Sequence, residues 1–264
     1  MSRRGVSSVR AELALSLVLS LTVLLTGCAE THLKPLPGLT EPPIAFSRLT
    51  QMPLIEAPAA KGDGPLVVLY TGDNGWAPMD RQLAAHLNAD GSPVVGVSTL
   101  VYFVKPRRPA GAAGDLAALI AHYSRLWNRR DVILIGYSYG GDTLPLIARA
   151  LPAAVRAKVR LLVLISPSDY GDLTFRGYSW FDLHTGAARP IEPALRALGD
   201  LPVLCIHAEH DPRQACDRTE APNLTRKTFT GNHWYRGHEG ELAELILATA
   251  EPKPAQAPTR TPAQ

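Results

Sequence analysis

Uninterrupted apolar runs alternate along this chain with segments in which apolar residues recur every three or four positions. The uninterrupted runs are typical of strands covered on both faces, whereas the recurring pattern, as at Leu83 and Leu87, indicates amphipathic helices. The predicted strands are Met52–Ala57, Leu66–Tyr70, Pro93–Val97, Val132–Ile135, Arg160–Ile165, Pro202–Ile206 and Lys227–Thr230. The predicted helices are Pro78–Ala89, Asp115–Trp127, Gly140–Leu151, Ile191–Leu198 and Glu239–Ala248. This alternation predicts an α/β class with a doubly wound, mostly parallel sheet, and a ligand site at the carboxyl ends of its strands.

The strand Val132–Ile135 leads into a short turn, Gly136-Tyr137-Ser138-Tyr139-Gly140. Glycines two residues on either side of a serine form the nucleophile-elbow pattern, in which a strained serine presents its hydroxyl above the sheet edge. The helix that follows directs free amides and a partial positive charge at that serine, which favours a developing oxyanion. The same five residues also fit an ordinary glycine-rich turn between a strand and a helix.

A serine hydroxyl needs a base to accept its proton, and that base is usually a histidine oriented by a carboxylate. His233 follows the last predicted strand, where the base belongs, and Asp211 follows the strand Pro202–Ile206, where the acid belongs. Alternatives remain for both roles: His238 and His184 for the base, Asp169 and then Glu209 for the acid. Asp142 lies one turn along the elbow helix, and a structural hydrogen bond is expected for it.

The loop Thr71–Trp76, after the strand Leu66–Tyr70, is rich in glycine and also contains an aspartate and an asparagine. A loop at this place supplies the second amide of an oxyanion hole, the first being the amide after the nucleophile. The predicted donors are therefore the amide of Tyr139 and the amide of Asp73, with Asn74 next. The alternative for this loop is a simple Asp/Asn/Gly turn.

Composition limits the class of protein. The chain has 264 residues, of which 46% are hydrophobic and 19% charged, as expected for a single α/β domain with a full core. The formal net charge of +3 argues weakly for an anionic partner such as a phospholipid surface. Neither a Lys/Arg-rich helix nor zinc-finger spacing is present to indicate nucleic acid. No cofactor is expected.

The N-terminus is predicted to be a targeting segment, in which three arginines precede the apolar run Leu13–Leu25. The run ends at Leu25-Thr26-Gly27-Cys28, which looks like a lipobox, so Cys28 is expected to carry lipid and 1–27 to be removed. Ala29 gives no signal for inner-membrane retention, which favours the outer membrane. Ordinary signal-peptide cleavage nearby is the alternative, and either process exports the protein.

The remaining organisation follows from composition. Residues 28–51 are expected to be a Pro-rich tether, 52–250 the folded domain and 251–264 a disordered tail. The loop Thr99–Gly114 combines aromatic and basic residues, which suit either a lipid headgroup phosphate or a solvated loop with a packed Tyr-Phe pair. The aromatic segment Tyr178–Phe181 lies where a lid is often inserted.

Two further cysteines, Cys205 and Cys216, lie on either side of Asp211. In an oxidising compartment a disulfide between them is expected, and it would hold the loop that carries the acid. The competing hypothesis is a metal site formed by these cysteines with His207 and His210. The mechanical reason for the pair favours the disulfide and no metal.

Four segments together resemble the bacterial virulence protein family VirJ/AcvB over residues 54–250: Thr71–Trp76, Gly136–Asp142, the Cys-bracketed acid loop and Gly231–Trp234. The resemblance implies an α/β-hydrolase fold and a periplasmic location. Proteins related to that family hydrolyse aminoacyl-phosphatidylglycerol and release lysine or alanine from the lipid. The family's nucleophile maps onto Ser138, its histidine onto His233 and its acid onto Asp211.

The sequence therefore predicts a lipid-anchored serine esterase that acts on an anionic phospholipid. Two alternatives remain open. One is a catalytically inactive hydrolase fold that serves as a periplasmic scaffold and binds secretion-system components. The other is a generic esterase or thioesterase on soluble substrates.

Overall fold

The computed structural model describes residues 45–46, 52–176, 185–213 and 215–251. The predicted signal peptide with Cys28, most of the predicted tether and the tail from 252 onward lie outside the described residues. The predicted lid segment Tyr178–Phe181 also lies outside them.

The strands of the described residues form one large sheet and one small ribbon. In chain order they are β1 (Ala45–Phe46), β2 (Pro53–Ala57), β3 (Leu66–Tyr70), β4 (Val94–Val97), β5 (Val132–Tyr137), β6 (Val159–Ile165), β7 (Tyr170–Gly171), β8 (Arg189–Pro190), β9 (Val203–Ala208) and β10 (Leu224–Phe229). Within the described residues the large sheet has the order β1-β2-β4-β3-β5-β6-β9-β10. Among these described strands the pairs β1-β2 and β2-β4 are antiparallel and the other five neighbouring pairs are parallel, so the predicted doubly wound, mostly parallel sheet is confirmed.

Helices cover both faces of this sheet. They are α1 (Pro78–Ala89), α2 (Thr99–Tyr102), α3 (Pro109–Leu126), α4 (Tyr139–Arg149), α5 (Ala153–Arg156), α6 (Glu192–Arg196), α7 (Ala215–Arg218) and α8 (Glu239–Ala250). Buried side chains of α3, α4, α6 and α7 share one apolar cluster, and those of α1 and α8 share the other. Within the part of the chain that is described, no helix is both long enough and apolar enough to cross a bilayer.

The central strand β5 shows why its sequence is continuously apolar. Val132 and Leu134 face the cluster that contains α3 and α4, whereas Ile133, Ile135 and Tyr137 face the cluster that contains α1 and α8. Successive side chains of a strand point to opposite faces of the sheet. In a strand between two layers of helices, the side chains on both faces are buried and must therefore be apolar. Since β5 lies between β3 and β6, Ser138 emerges near the middle of the sheet edge.

Two predicted element boundaries are wrong by three residues or more. The helix predicted to be capped by Asp115 begins at Pro109, a favourable first helical position. Asp115 therefore lies inside α3, where its Oδ2 accepts a hydrogen bond of 2.6 Å from the Tyr102 hydroxyl. The last strand begins at Leu224 and not at Lys227, because a mostly exposed edge strand carries little apolar signal.

The aromatic and basic loop before α3 divides into two parts. Tyr102 and Phe103 are buried and their rings lie edge to face with centroids 4.8 Å apart, so the packed-pair alternative holds for them. The guanidinium of Arg107 lies 4.4 Å from the Tyr102 ring centroid and 3.6 Å from Asp115. Lys105 is exposed on the same loop.

Candidate active site

Ser138 lies at the junction of β5 and α4 with backbone angles φ 52° and ψ −118°. This conformation is strained for a residue with a side chain, and it persists only where surrounding contacts fix it. The Ser138 amide donates to the carbonyl of Ile165 at 2.8 Å, and the Ser138 carbonyl accepts from the amide of Asp142 at 3.1 Å. The sharp turn therefore places the hydroxyl at the carboxyl edge of the sheet, as the elbow pattern predicts.

His233 reaches Ser138 from the loop between β10 and α8. Its Nε2 lies 3.0 Å from Ser138 Oγ, and its Nδ1 lies 2.8 Å from Asp211 Oδ2. A proton on Nδ1 satisfies both contacts, because Nδ1 then donates to the carboxylate and Nε2 accepts from the serine hydroxyl. The backbone of this loop is also held, since the Tyr137 hydroxyl donates to the His233 carbonyl at 2.9 Å.

Asp211 follows β9, and its side chain has no exposed surface. Besides His233, its carboxylate accepts the amide of Arg213 at 3.0 Å. Burial alone would raise the pKa of Asp211, but hydrogen bonds from His233, Ser166 and the Arg213 amide outweigh burial and hold that pKa below its ordinary value. The carboxylate is therefore ionised at neutral pH and can orient His233 and stabilise its protonated form.

The alternatives for base and acid lie elsewhere. Asp169 forms an exposed ion pair of 2.7 Å with Arg218 and does not contact His233. His238 precedes α8, and its Nδ1 lies 3.2 Å from Glu241 Oε2. Glu209 is exposed, and His184 lies outside the described residues. The structure thus brings Ser138, His233 and Asp211 together and does not bring the alternatives to the serine.

The predicted oxyanion loop lies beside the serine. A Cβ placed on Gly72 would stand 3.5 Å from the Cβ of Ser138, so the loop after β3 approaches the nucleophile closely. Asp73 and Asn74 form the tip of a tight turn closed by the Gly75 amide and the Gly72 carbonyl at 3.1 Å. Tyr139 begins α4, where amides lack a carbonyl partner within the helix. The loop that carries Asp73 and the first residue of α4, Tyr139, therefore both adjoin Ser138.

Arg213 is a component of the site that the sequence did not predict. Its Nη1 donates to Ser138 Oγ at 3.3 Å and lies 3.5 Å from Asp142 Oδ2. Asp142 is buried, and its Oδ1 accepts the amide of Ser168 at 2.6 Å. The one signal for Arg213 in the sequence is its place two residues after Asp211. The pairing with Asp142 depends on folding, because 71 positions separate the two residues (213 − 142).

The loop that carries Asp211 and Arg213 is closed by a disulfide between Cys205 and Cys216, as predicted. Cys205 lies in β9 and Cys216 in α7, so the bond ties the loop to the central sheet. Arg226 adds a hydrogen bond of 2.8 Å from its Nε to the Cys216 carbonyl. The disulfide removes both thiolates as metal ligands, which corrects the competing hypothesis of a site with His207 and His210. Within the described residues, no group of three or more His, Cys, Asp or Glu side chains could hold a metal ion.

Esterases are among the solved structures to which this fold is similar. Carboxylesterase CesB (YbfK) from Bacillus subtilis aligns with a TM-score of 0.58 at 15% identity, over 80% of this chain and 92% of its own. The esterase domain of a Rhodothermus marinus protein aligns with a TM-score of 0.54 at 14% identity, over 80% and 98%. Est1E from Butyrivibrio proteoclasticus gives 0.52 at 16% identity, over 75% and 93%. The fold is therefore the α/β-hydrolase fold that the sequence predicts.

No protein among the curated sequences matches this chain significantly. A family model, described as bacterial virulence protein (VirJ), matches residues 64–253. The match begins just before β3, ends just after α8 and includes every residue placed around Ser138. It covers well over half of the chain. This protein therefore belongs to the VirJ family of bacterial virulence proteins.

Proposed function

We propose that this protein is a serine esterase of the periplasm that hydrolyses the aminoacyl ester of aminoacyl-phosphatidylglycerol. The observation that carries the proposal is the unbroken chain of contacts from Ser138 Oγ through His233 to Asp211, at 3.0 and 2.8 Å. A nucleophile, a base and an orienting carboxylate in this order are the elements of acyl transfer.

In the first half of the reaction, Ser138 Oγ attacks the ester carbonyl carbon while His233 Nε2 accepts the hydroxyl proton. Asp211 stabilises the imidazolium that forms. The carbonyl oxygen becomes an oxyanion, which the amides of Tyr139 and Asp73 stabilise. Collapse of this intermediate breaks the ester bond, and His233 gives its proton to the departing glycerol oxygen of the lipid.

In the second half, water enters the position that the lipid alcohol has left. His233 Nε2 accepts a proton from the water, whose oxygen attacks the acyl carbon bound to Ser138. The second tetrahedral intermediate collapses, and Ser138 Oγ recovers its proton from His233. The products are the free amino acid and phosphatidylglycerol, so atoms and protons balance against one molecule of water.

The choice of a lipid substrate rests on the VirJ family and on the predicted export of the chain. A lipid on Cys28 would hold the enzyme beside a membrane, and confinement to that surface raises the effective concentration of a lipid substrate. Lysyl- and alanyl-phosphatidylglycerol both carry a carboxylic ester, which is the bond that a Ser-His-Asp triad hydrolyses.

The test begins with a fluorophosphonate, which reacts covalently with an activated serine. The full-length protein in detergent would be treated beside Ser138→Ala and a control, Ser124→Ala, whose serine lies on α3. We expect an adduct on Ser138 in the wild type and in the control, located by mass spectrometry, and none in Ser138→Ala. A folded wild-type protein without an adduct on Ser138 would refute the serine esterase and favour the alternative function of a periplasmic scaffold.

Substrate comparison then separates the lipid esterase from a generic one. Release of lysine or alanine from the corresponding phosphatidylglycerol would be measured beside hydrolysis of a short soluble ester. We expect kcat/KM for the aminoacyl lipid to exceed that for the soluble ester by at least about 100-fold, since specificity is a ratio of transition-state affinities. Equal values would favour a generic esterase or thioesterase.

A further inference from the structure

We infer that Arg213 recognises a phosphate group on the alcohol part of the ester substrate. The inference rests on the proposed function, because it assigns the substrate chemistry of the same site. The observation behind it is that a guanidinium, and not a neutral or apolar side chain, lies against the candidate nucleophile, with Arg213 Nη1 3.3 Å from Ser138 Oγ.

Asp142 fixes the position of this guanidinium. The Asp142 side chain is 8% exposed and the Arg213 side chain 20% exposed, so the pair of 3.5 Å is partly shielded from water. A buried carboxylate without a partner is costly, and Arg213 supplies a partner from the opposite loop. The Ser168 amide holds Asp142 from its other oxygen at 2.6 Å. Arg213 is thus placed by the framework of the fold and by the loop that carries Asp211.

Two of the three nitrogen atoms of the Arg213 guanidinium, Nε and Nη2, are not used in these contacts. Among the described residues, the side-chain contacts of Arg213 to Ser138 and Asp142 both use Nη1. A guanidinium has five N–H donors in a planar fork, and the fork matches two oxygens of one phosphate. Nε and Nη2 form an edge that can bind such an anion without displacing Asp142.

The distances suit an anion on the leaving alcohol. At attack the acyl carbon lies about 3 Å from the serine oxygen, and an anion lies about 2.8 Å from a guanidinium nitrogen. Arg213 and Ser138 are themselves in contact, so the acyl carbon and the phosphate of the substrate must be close neighbours. Glycerol with an ester on one terminal oxygen and phosphate on the other provides this spacing, since only its carbon atoms separate the two groups.

A role in stabilising the oxyanion is the main competing role for Arg213. It differs in one measurable respect, because oxyanion stabilisation acts on every ester whatever its alcohol carries. Recognition of phosphate acts only on esters that contain phosphate. The discrimination between two matched esters therefore separates the roles, even if substitution of Arg213 slows both reactions.

The first experiment measures binding and needs no turnover. Glycerol 3-phosphate would be titrated into the full-length protein by calorimetry, with glycerol as the neutral probe. We expect wild-type protein to bind glycerol 3-phosphate at roughly millimolar concentration, and Arg213→Gln to bind it at least about 10-fold more weakly. Arg213→Lys, which keeps the charge but loses the fork, should fall between them.

The matched control is Arg218→Gln. Arg218 belongs to the helix α7 that follows Arg213, but it forms an exposed ion pair with Asp169. Its loss removes the same charge from the same region without touching Ser138, so binding of glycerol 3-phosphate should match that of the wild type. Weak binding by wild-type protein that Arg213→Gln does not reduce, or an equal loss in both arginine variants, would overturn the inference.

The second experiment compares alanyl esters of glycerol and of glycerophosphoglycerol, which differ in the phosphodiester. Wild-type kcat/KM should favour the phosphodiester by about 10- to 100-fold, and Arg213→Gln should lose most of that ratio. Alanyl-phosphatidylglycerol in mixed micelles shows whether a lipid headgroup presents the same phosphate, and its hydrolysis should depend on Arg213 equally. A ratio that survives the substitution overturns the inference.

The two proposals fail in different ways. Binding of glycerol 3-phosphate through Arg213 without hydrolysis of any ester would refute the esterase function and support the phosphate site. If Ser138 is labelled and esters are hydrolysed without a preference for phosphate, the esterase function is supported and the phosphate site is refuted. Fluorophosphonate labelling of Ser138 in Arg213→Gln shows that the variant is folded and its nucleophile assembled.

Discussion

Gly140 lies so close to the end of β3 that a Cβ on it would stand 2.1 Å from the carbonyl oxygen of Tyr70. That distance is far inside van der Waals contact, and a backbone oxygen cannot swing away as a side chain can. The first turn of α4 can therefore pack beside β3 only with glycine at this position. Because Ser138 lies two residues before Gly140, the same contact sets where the hydroxyl lies above the sheet edge.

Gly140→Ala should consequently destabilise the protein by about 2 kcal/mol or more, since the backbone must shift to admit the methyl group. The control is Gly111→Ala on α3, where a Cβ would meet nothing within 4 Å. That substitution should leave stability unchanged or raise it by about 0.5 to 1 kcal/mol, because alanine favours the helix. Denaturant unfolding of both variants checks the contrast, and equal behaviour would contradict it.

Removal of the nucleophile or of the base should abolish ester hydrolysis. Ser138→Ala eliminates the atom that attacks, and His233→Ala eliminates the group that accepts its proton, so each should lower kcat by about 10³-fold or more. The double variant should be no slower than the slower single variant, because the two residues act as a unit. Multiplicative losses in the double variant would contradict that coupling.

Asp211→Asn should lower kcat by up to about 10⁴-fold while the site keeps its shape, because an amide cannot stabilise the histidinium or hold its tautomer. KM should change much less than kcat. Measurement of both parameters on one ester, with fluorophosphonate labelling of Ser138 as a second readout, checks the prediction. A large rise in KM at unchanged kcat would place Asp211 in substrate binding.

The lowered pKa of Asp211 also predicts a pH dependence of stability. A carboxylate with a folded pKa below its unfolded value of 3.8 stabilises the fold above that value and loses the contribution as pH falls through the folded pKa. Wild-type protein should therefore lose stability more steeply than Asp211→Asn below about pH 4. Unfolding curves at a series of acid pH values test this, and parallel pH profiles would refute it.

For Asp80 we expect a pH dependence of stability with the opposite sign. Burial, opposed in part by the Ala77 amide that donates to its Oδ2 at 3.1 Å, raises the pKa of Asp80 to about 7. Its folded pKa then exceeds the unfolded value of 3.8, so its ionisation costs stability progressively as pH rises between the two. Asp80→Asn keeps an oxygen for the Ala77 amide and should gain stability over the wild type from pH 5 to pH 8. A constant difference over that range would contradict the shift.

The disulfide supplies a further prediction. Closure of a loop with a sequence separation of 11 between Cys205 and Cys216 restricts the unfolded chain by about 3 kcal/mol. Cys205→Ala/Cys216→Ala should lose up to that amount, and ester hydrolysis should decline because the loop holds Asp211 and Arg213. Undiminished stability in the double variant would show that the loop is fixed by Arg226 and packing alone.

The periodicity of the sequence determined most of the framework. β3, β5 and β6 are continuously apolar because helices cover both of their faces, so their burial can be predicted from their composition. The elbow was equally predictable from the sequence, since Gly136 and Gly140, two residues on either side of Ser138, have no room for a Cβ. His233 and Asp211 followed from the order in which strands end at one edge of a parallel sheet.

Weakly apolar or locally ambiguous segments did not determine their own structure. The exposed edge strand β10 gains its pairing from β9, to which all of its residues are registered, and not from its own pattern. The start of α3 at Pro109 left Asp115 as a partner for Tyr102 and not as a cap. Local sequence favours a cap and a side-chain partner alike, so packing decides between them.

For Arg213, the local sequence predicts its position in the chain, whereas its side-chain contacts depend on the tertiary structure. The sequence determined the strand that ends before it, the acid two residues earlier and the cysteines on either side of it. Only the tertiary structure decided that its guanidinium lies between Ser138 and Asp142, because both partners belong to another strand-helix unit. Hydrophobic periodicity records which face of an element is buried, whereas a contact between polar side chains depends on how separate elements meet.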